Sequence, residues 1–461
     1  MIEETKHKDT LNGVLPAGWD VVMLGDVADF SRKPRSLNFN KYTKIPFIPM
    51  EYIPNEEIYI SKYELKNQNE IKSGTFFCKG DLLVAKITPS FENGKQCIIN
   101  DLPTDFGYAT TEVWPLHGTD RCDILYLFYY LKKHEIRTEI AAKMEGSTGR
   151  QRVPKNVLAN FKIPLPPLPE QRAIAKVLST VQQAKEKTDT VISATKELKK
   201  SMMKHLFSYG PVHVKKFNEF NELGVKELQN AQNSSNSSNS KNSINLKETE
   251  IGLVPEEWDV VRLGDIANFK NGINFTKDQK GKSGILTIDV LNMYREGIHV
   301  NLNNLYRVNK QINDNYLLQN GDVLFVRSSL KREGVGWTSL FRETQEPVTF
   351  CGFVIRARLK SNNISPEFLT NYLRTKNARE NLIASSGKVA ITNINQGMLG
   401  RISVPLPSLP VQQKIATILS AVDRKIETEQ TKKKSLDELF KSLLHNLMTG
   451  KVRVNHIEVM L

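Results

Sequence analysis

Cysteine is scarce in this chain. The four present, Cys78, Cys97, Cys122 and Cys351, are unevenly spread and none lies in a C-x-x-C pair. Neither a disulfide framework nor a thiolate zinc site is expected, and a reducing cytoplasm fits. Long apolar runs are also missing. The longest, Ile124 to Leu131, falls far short of the roughly 20 residues that span a bilayer. Met1 to Gly13 is charged throughout and lacks an apolar h-region, so secretion and membrane insertion are not expected, and the expected location is cytoplasmic.

Nucleotide-binding and catalytic signatures are absent as well. There is no G-x-x-x-x-G-K-[ST]; Gly281-Lys282-Ser283 and Gly387-Lys388 lack the upstream glycine that a phosphate cradle needs. His134-Glu135 has no second histidine at H-E-x-x-H spacing, and no H-x-E accompanies a C-x-x-C. No G-x-G-x-x-G turn occurs, nor the Asn/Asp-Pro-Pro-aromatic signature of amino-group DNA methyltransferases. The eight scattered histidines read as solvated or core residues rather than ligands. The expectation is a chain with no catalytic residue, no metal and no cofactor of its own.

Among what is present, charge stands out. Lys and Arg number 64 against 50 Asp and Glu, a net +14 with a pI near 9.3, which favours a polyanionic partner, chiefly nucleic acid. Hydrophobic residues at 39% and charged residues at 25% are those of a globular protein, and 461 residues suit two to four domains of about 150 residues.

The chain is written twice. LPAGWDVVMLGDVADF (Leu15 to Phe30) matches VPEEWDVVRLGDIANF (Val254 to Phe269), with Trp19 on Trp258 at an offset of 239. GDLLVAK from Gly80 matches GDVLFVR from Gly321, and PLPPLPEQRAIAKVLSTV from Pro164 matches PLPSLPVQQKIATILSAV from Pro405, both at 241. Three blocks in one order at nearly constant offset mean a duplicated unit, far longer than the roughly 20 to 50 residues of a solenoid repeat.

Each unit has two unlike parts. Trp19 to Phe161 and Trp258 to Ile402 mix short β-rich runs, including a hairpin signature through Asn93-Gly94, with helix-period runs at Asp123 to Ile140 and Pro366 to Ile383. An α/β (α+β) domain is the economical reading. The second part is a long helix. Ile174, Val181, Thr188, Thr195 and Met202 recur every seven residues, and Ile415, Val422, Leu436 and Leu443 keep the same phase, although Lys425, Glu429 and Lys432 weaken the middle. The proline-rich segments start each helix, and Gly210-Pro211 and Gly450 end them. Antiparallel pairing within the chain is the simplest arrangement; pairing with another chain is the alternative. The expected order is a first domain over 1–165, a helix over 166–209, a flexible Asn/Ser-rich linker over 210–249, a second domain over 250–406, a helix over 407–449 and a tail over 450–461.

Basic residues beside turns are the candidate contacts. Lys86 and Arg327 close the two GD-apolar strands, followed by TPSFENGK with Lys95 in one copy and SSLKREG with Ser328, Lys331 and Arg332 in the other. Later, GSTGRQRVPK carries Arg150, Arg152 and Lys155, and ASSGKVAITN carries Lys388. Small residues permit close backbone approach, and Arg or Lys reaches phosphate oxygens or the O6/N7 edge of guanine. For any single one the plain reading is a solvated surface charge.

The order W-x-V-x-x-L-G-D-[VI]-A, G-D-[LV]-L and P-L-P-x-L-P-x-Q-[RQ]-x-I-A-x-[VI]-L-S into a long helix, repeated once, resembles the DNA specificity (S) subunit of type I restriction-modification systems. The likeness covers nearly the whole chain; the long Asn/Ser linker departs from it. The resemblance implies two target recognition domains in tandem, separated by two long helices that form an antiparallel coiled coil. It also implies a noncatalytic subunit that binds double-stranded DNA, two modification subunits and restriction subunits. S-adenosylmethionine, ATP and Mg would belong to those partners, not to this chain.

A duplicated reader suits two half-sites on one duplex, about 34 to 36 Å apart if read from one face. Because the basic loops differ, the half-sites should differ, giving an asymmetric bipartite site. The rivals are a single-chain methyltransferase or nuclease with unrecognised motifs, and a tandem RNA-binding scaffold. Methyl transfer by the isolated chain would reveal the first; the missing K/R-G-F/Y-G/A-F-V-x-F/Y pattern counts against the second.

Overall fold

A computed structural model describes residues 9–10, 13–38, 41–211, 245–384 and 392–454. They form two compact units, one of residues 1–189 with 432–461, the other of residues 190–431.

In the first unit, strands Ala28–Phe30, Val113–Gly118, Leu82–Ala85 and Gln96–Ile98 form an antiparallel four-stranded sheet in that order. The last two are the arms of the expected Asn93-Gly94 hairpin. A second sheet runs Glu64–Asn67, Lys44–Ile48, Phe106–Ala109 and Thr75–Cys78, with the middle pair parallel. The second unit repeats the first sheet as Ala267–Asn271, Val354–Leu359, Val323–Val326 and Thr338–Leu340. Its other sheet again has a parallel pair, Ile285–Ile288 with Val348–Phe350. This mixture of sheets and short helices is the expected α+β architecture.

The duplicated motifs acquire physical reasons. Gly80 and Gly321 have φ of +93° and +87°, a backbone region that side chains with a Cβ avoid. The aspartates after them are buried. Asp81 accepts from the Cys78 amide at 2.8 Å and meets His117 at 2.9 Å; Asp322 accepts from the Gln319 amide at 2.7 Å and meets Arg358 at 2.7 Å. The duplicated Trp-Asp-Val-Val segment is likewise structural. Asp20–Met23 pairs with Lys162–Leu165, and Asp259–Arg262 with Ser403–Leu406, so the strand after each duplicated tryptophan is laced to the strand that leads into the long helix, with Trp19 and Trp258 buried.

The helix-period runs each break once. Residues 123–140 become Ile124–Lys132 and His134–Ala141, and the later run becomes Pro366–Leu373 and Lys376–Ala384. Asp123 and Ser365 cap the first member of each pair through their side-chain oxygens.

Two rods carry the heptads. The first is Leu168–Tyr209, 42 residues, and the second Leu409–Met448, 40 residues, each about 60 Å at 1.5 Å per residue. In the first unit Lys185 meets Asp437 at 2.7 Å and Asp189 meets Lys433 at 2.5 Å. Partners four residues further along one rod lie four residues back on the other, which is antiparallel pairing. In the second unit Lys199 meets Asp423 at 2.6 Å, and Leu206 and Phe207 share a core with Ile415 and Leu419, the same sense. The polar seam positions are satisfied locally. Thr188 and Thr195 hydroxyls donate to carbonyls one turn back, and buried Glu429 accepts from Lys425 at 2.7 Å.

Gly210 and Gly450, at φ +75° and +69°, end the rods. Most of the stretch expected as linker lies outside the described residues, but its end is ordered differently from a linker: Leu246–Thr249 is a strand paired with Gly252–Pro255. Of the stretch expected as the tail, residues 450–454 are described and pack onto the first unit. Val454 is buried in the first unit's core, and Arg453 grips buried Glu170 at 2.6 and 2.8 Å.

Candidate nucleic-acid interface

The first unit seats two of its expected basic residues on aromatic rings. Lys86 follows the central strand Leu82–Ala85, and its backbone is held on both sides. Its amide donates to the Glu112 carbonyl at 3.0 Å, and its own carbonyl accepts from Val153 at 2.8 Å. The Lys86 ammonium lies 4.1 Å from the Trp114 ring centre; Phe30 meets Trp114 edge-on at 5.6 Å, and Lys155 lies 4.4 Å over Phe30. Such cation–ring contacts are worth about 0.5–1 kcal/mol at exposed sites, enough to order a long side chain without immobilising it. Partial burial pulls the Lys86 pKa down, against the pull of nearby Glu112.

Arg152 joins this group. Its Nε and Nη2 donate to the two carboxylate oxygens of Glu112 at 2.8 and 2.7 Å. Those hydrogen bonds hold the Glu112 carboxyl below its ordinary pKa and raise that of Arg152. Arg150 is exposed at the end of the Ser147–Arg150 turn, which its amide closes on the Ser147 carbonyl at 2.9 Å. Lys95 does not join the group through its ammonium, which is tied to the Met50 carbonyl at 2.8 Å.

The second unit builds the same backbone frame with different side chains. The Arg327 amide donates to the Phe353 carbonyl at 2.8 Å, and its carbonyl accepts from Ile394 at 2.9 Å, as Lys86 does with Glu112 and Val153. Ser328 pairs with Asn393, as Ile87 bridges Arg152. The Arg327 guanidinium donates to the Gly352 carbonyl at 3.2 Å. Lys331 and Arg332 are exposed on the turn that follows, beside Leu330, which is 87% exposed. Lys388 lies outside the described residues.

Sequence reasoning missed Glu112, Trp114, Phe30, Phe353 and Asn393. Asn393 had a signal in its offset of 241 from Arg152, and Phe353 stands at the same offset from Glu112, which was itself missed. Among the described residues no cluster of three His, Cys, Asp or Glu could hold a metal ion, and no helix is long and apolar enough to cross a membrane.

The family model of the type I restriction modification DNA specificity domain matches residues 16–195 and 255–438, one copy in each half of the chain. The chain belongs to this family. Relatives of this DNA-specificity chain include the type I restriction enzyme MjaVIII specificity subunit of Methanocaldococcus jannaschii, 28% identical over 99% of this chain and 98% of that protein. The EcoAI specificity subunit of Escherichia coli is 31% identical over 41% of this chain and 33% of its own. In fold, the chain is similar to the type I restriction-modification S subunit from M. genitalium, with a TM-score of 0.56 at 18% identity, covering 96% of this chain and 98% of that one.

Proposed function

We propose that this chain is the noncatalytic specificity subunit of a type I restriction-modification complex and reads an asymmetric bipartite DNA site, one domain per half-site. The observation that carries the reading is the duplicated frame around Lys86 and Arg327: one backbone geometry, two sets of side chains, both basic. A symmetric reader would repeat the side chains too. The net charge of +14 supplies the phosphate attraction, which weakens steeply with salt, while the loop residues supply base selection.

In this reading adenine methylation and restriction belong to partners, two modification subunits and the restriction subunits, which bring S-adenosylmethionine, ATP and Mg. Neither cofactor nor metal is assigned to this chain. The paired rods set the separation of the half-sites.

The test is a genome-wide map of adenine methylation in a host carrying the complete system. Replacing Arg150 and Arg152 should degrade one half-site; replacing Arg327, Lys331 and Arg332 should degrade the other. Equal damage to both half-sites from either set would refute one domain per half-site.

A further inference from the structure

We propose that Arg152 and Asn393 are the base-reading residues of their respective domains, Arg152 selecting a guanine with Glu112 as its positioning carboxylate, and Asn393 selecting an adenine beside the ring of Phe353. This deepens the proposed function and rests on its reading that these loops face duplex DNA.

The first support is positional. Arg152 and Asn393 stand at the same place in the two frames: each precedes the residue whose amide is taken by the Lys86 or Arg327 carbonyl, and each pairs with the next residue along, Ile87 or Ser328. Glu112 and Phe353 also correspond, since their carbonyls accept from the Lys86 and Arg327 amides. The unit thus keeps the scaffold and changes the pair of side chains it presents, from Arg with Glu to Asn with Phe. Two domains that read different half-sites need variation of this kind, confined to side chains on a shared support.

The second support is chemical. Glu112 occupies the Nε and Nη2 edge of the Arg152 guanidinium. The opposite fork, Nη1–H with the second hydrogen of Nη2, has the spacing that matches guanine O6 and N7. A carboxylate that grips one edge of an arginine presents the other in a fixed plane, lowering the side-chain entropy lost on binding. The backbone is fixed too, by reciprocal hydrogen bonds of 2.8 and 2.9 Å between Arg152 and Glu145.

At the second site the exposed amide of Asn393 has the donor and acceptor that match adenine N7 and N6 in the major groove. Phe353 is 61% exposed, a large ring left toward water beside the basic Arg327. Contact with the thymine methyl group is the apolar complement of an adenine-reading amide.

The experiment uses the complete complex in its host, with methylated adenines mapped for the parent and for Arg152→Lys, Glu112→Gln, Asn393→Ala and the double charge reversal Lys331→Glu with Arg332→Glu. Arg152→Lys keeps the charge and loses the fork, so binding and its salt dependence should persist. Preference for guanine at one position of one half-site should fall by about tenfold to a hundredfold, the discrimination of one bidentate pair. Asn393→Ala should relax an adenine position in the other half-site alone. Glu112→Gln should weaken guanine preference while raising affinity for non-specific DNA, because a negative charge leaves the interface; a residue that merely held the fold together would lower both, together with the thermal unfolding midpoint. If Arg152→Lys and Asn393→Ala leave both half-sites unchanged while the charge reversal abolishes binding, the base assignment is overturned and the DNA-facing reading stands. If the charge reversal leaves DNA binding unchanged, that reading fails and the assignment with it.

Discussion

Gln171 and Gln412 make the same three hydrogen bonds in the two units. The Gln171 carbonyl oxygen accepts from the Asp123 amide at 2.9 Å, and its nitrogen donates to the carbonyls of Arg121 at 2.9 Å and Pro166 at 2.8 Å. Gln412 accepts from Ser365 at 2.9 Å and donates to Asn363 at 3.2 Å and Pro407 at 2.8 Å. Asp123 and Ser365 are the caps of short domain helices, and each glutamine lies in the first turns of its rod. A buried amide therefore ties the rod's start to the domain that precedes it.

Removing that amide should be costly. Gln171→Ala or Gln412→Ala leaves one amide and two carbonyls without partners, and an expected loss of about 2–4 kcal/mol follows from the penalty for unsatisfied buried groups. Gln171→Glu should be worse at pH 7 than near pH 4, since an ionised carboxylate cannot donate to the carbonyls. Urea unfolding checks both, and a loss below about 0.5 kcal/mol would reject the clamp.

The Glu170–Arg453 pair makes a sharper prediction. Glu170 is 3% exposed, accepts from Trp19 Nε1 at 3.0 Å and from two nitrogens of Arg453. Arg453→Ala strands a buried carboxylate and should cost about 3 kcal/mol. Val411 stands at the matching position of the second rod, so Glu170→Val with Arg453→Leu should recover to within about 1–2 kcal/mol of the parent. A double variant as unstable as the single one would contradict this, with thermal unfolding as the measurement.

The rods should act as a ruler. Four residues inserted after Val191 and four after Lys432, near the Asp189–Lys433 pair, keep antiparallel helices in register and add roughly 6 Å. At about 3.4 Å per base pair the methylated site's spacer should lengthen by about one to two base pairs, with both half-sites unchanged. Insertion in one rod alone should break the seam and lower stability. An unchanged spacer in the methylation map would remove the ruler.

His299 sets a pH dependence in the second unit. Burial, helped by the nearby positive charge of Arg342, lowers its pKa from 6.5 to about 4. The unfolded chain then binds more protons between those values, so this contribution to stability is present above pH 6.5 and is lost as pH falls toward 4. His299→Gln should flatten the stability curve across that window. Urea midpoints measured from pH 4 to 7 test it, and superimposable curves would exclude the effect.

Much of the architecture is legible in the sequence because its determinants are local or periodic. The offset of 241 between the GD turns and between the proline-led helices marks the duplication. The heptads specify the rods, and Gly80 and Gly321 mark turns that demand a positive φ. Local rules also placed Lys86 and Arg327 at the strand ends. They could not show that Asp81 faces His117 where Asp322 faces Arg358, that Lys95 turns to Met50, or that Arg152 is gripped by Glu112, 40 residues away. Nor could they place Lys155 over Phe30. A side chain's partner depends on which strands the sheet brings together, and no period in the sequence records that. The chain's own order thus determined where basic residues would be carried, and only tertiary packing decided which of them are held, by what, and with which edge left free to bind.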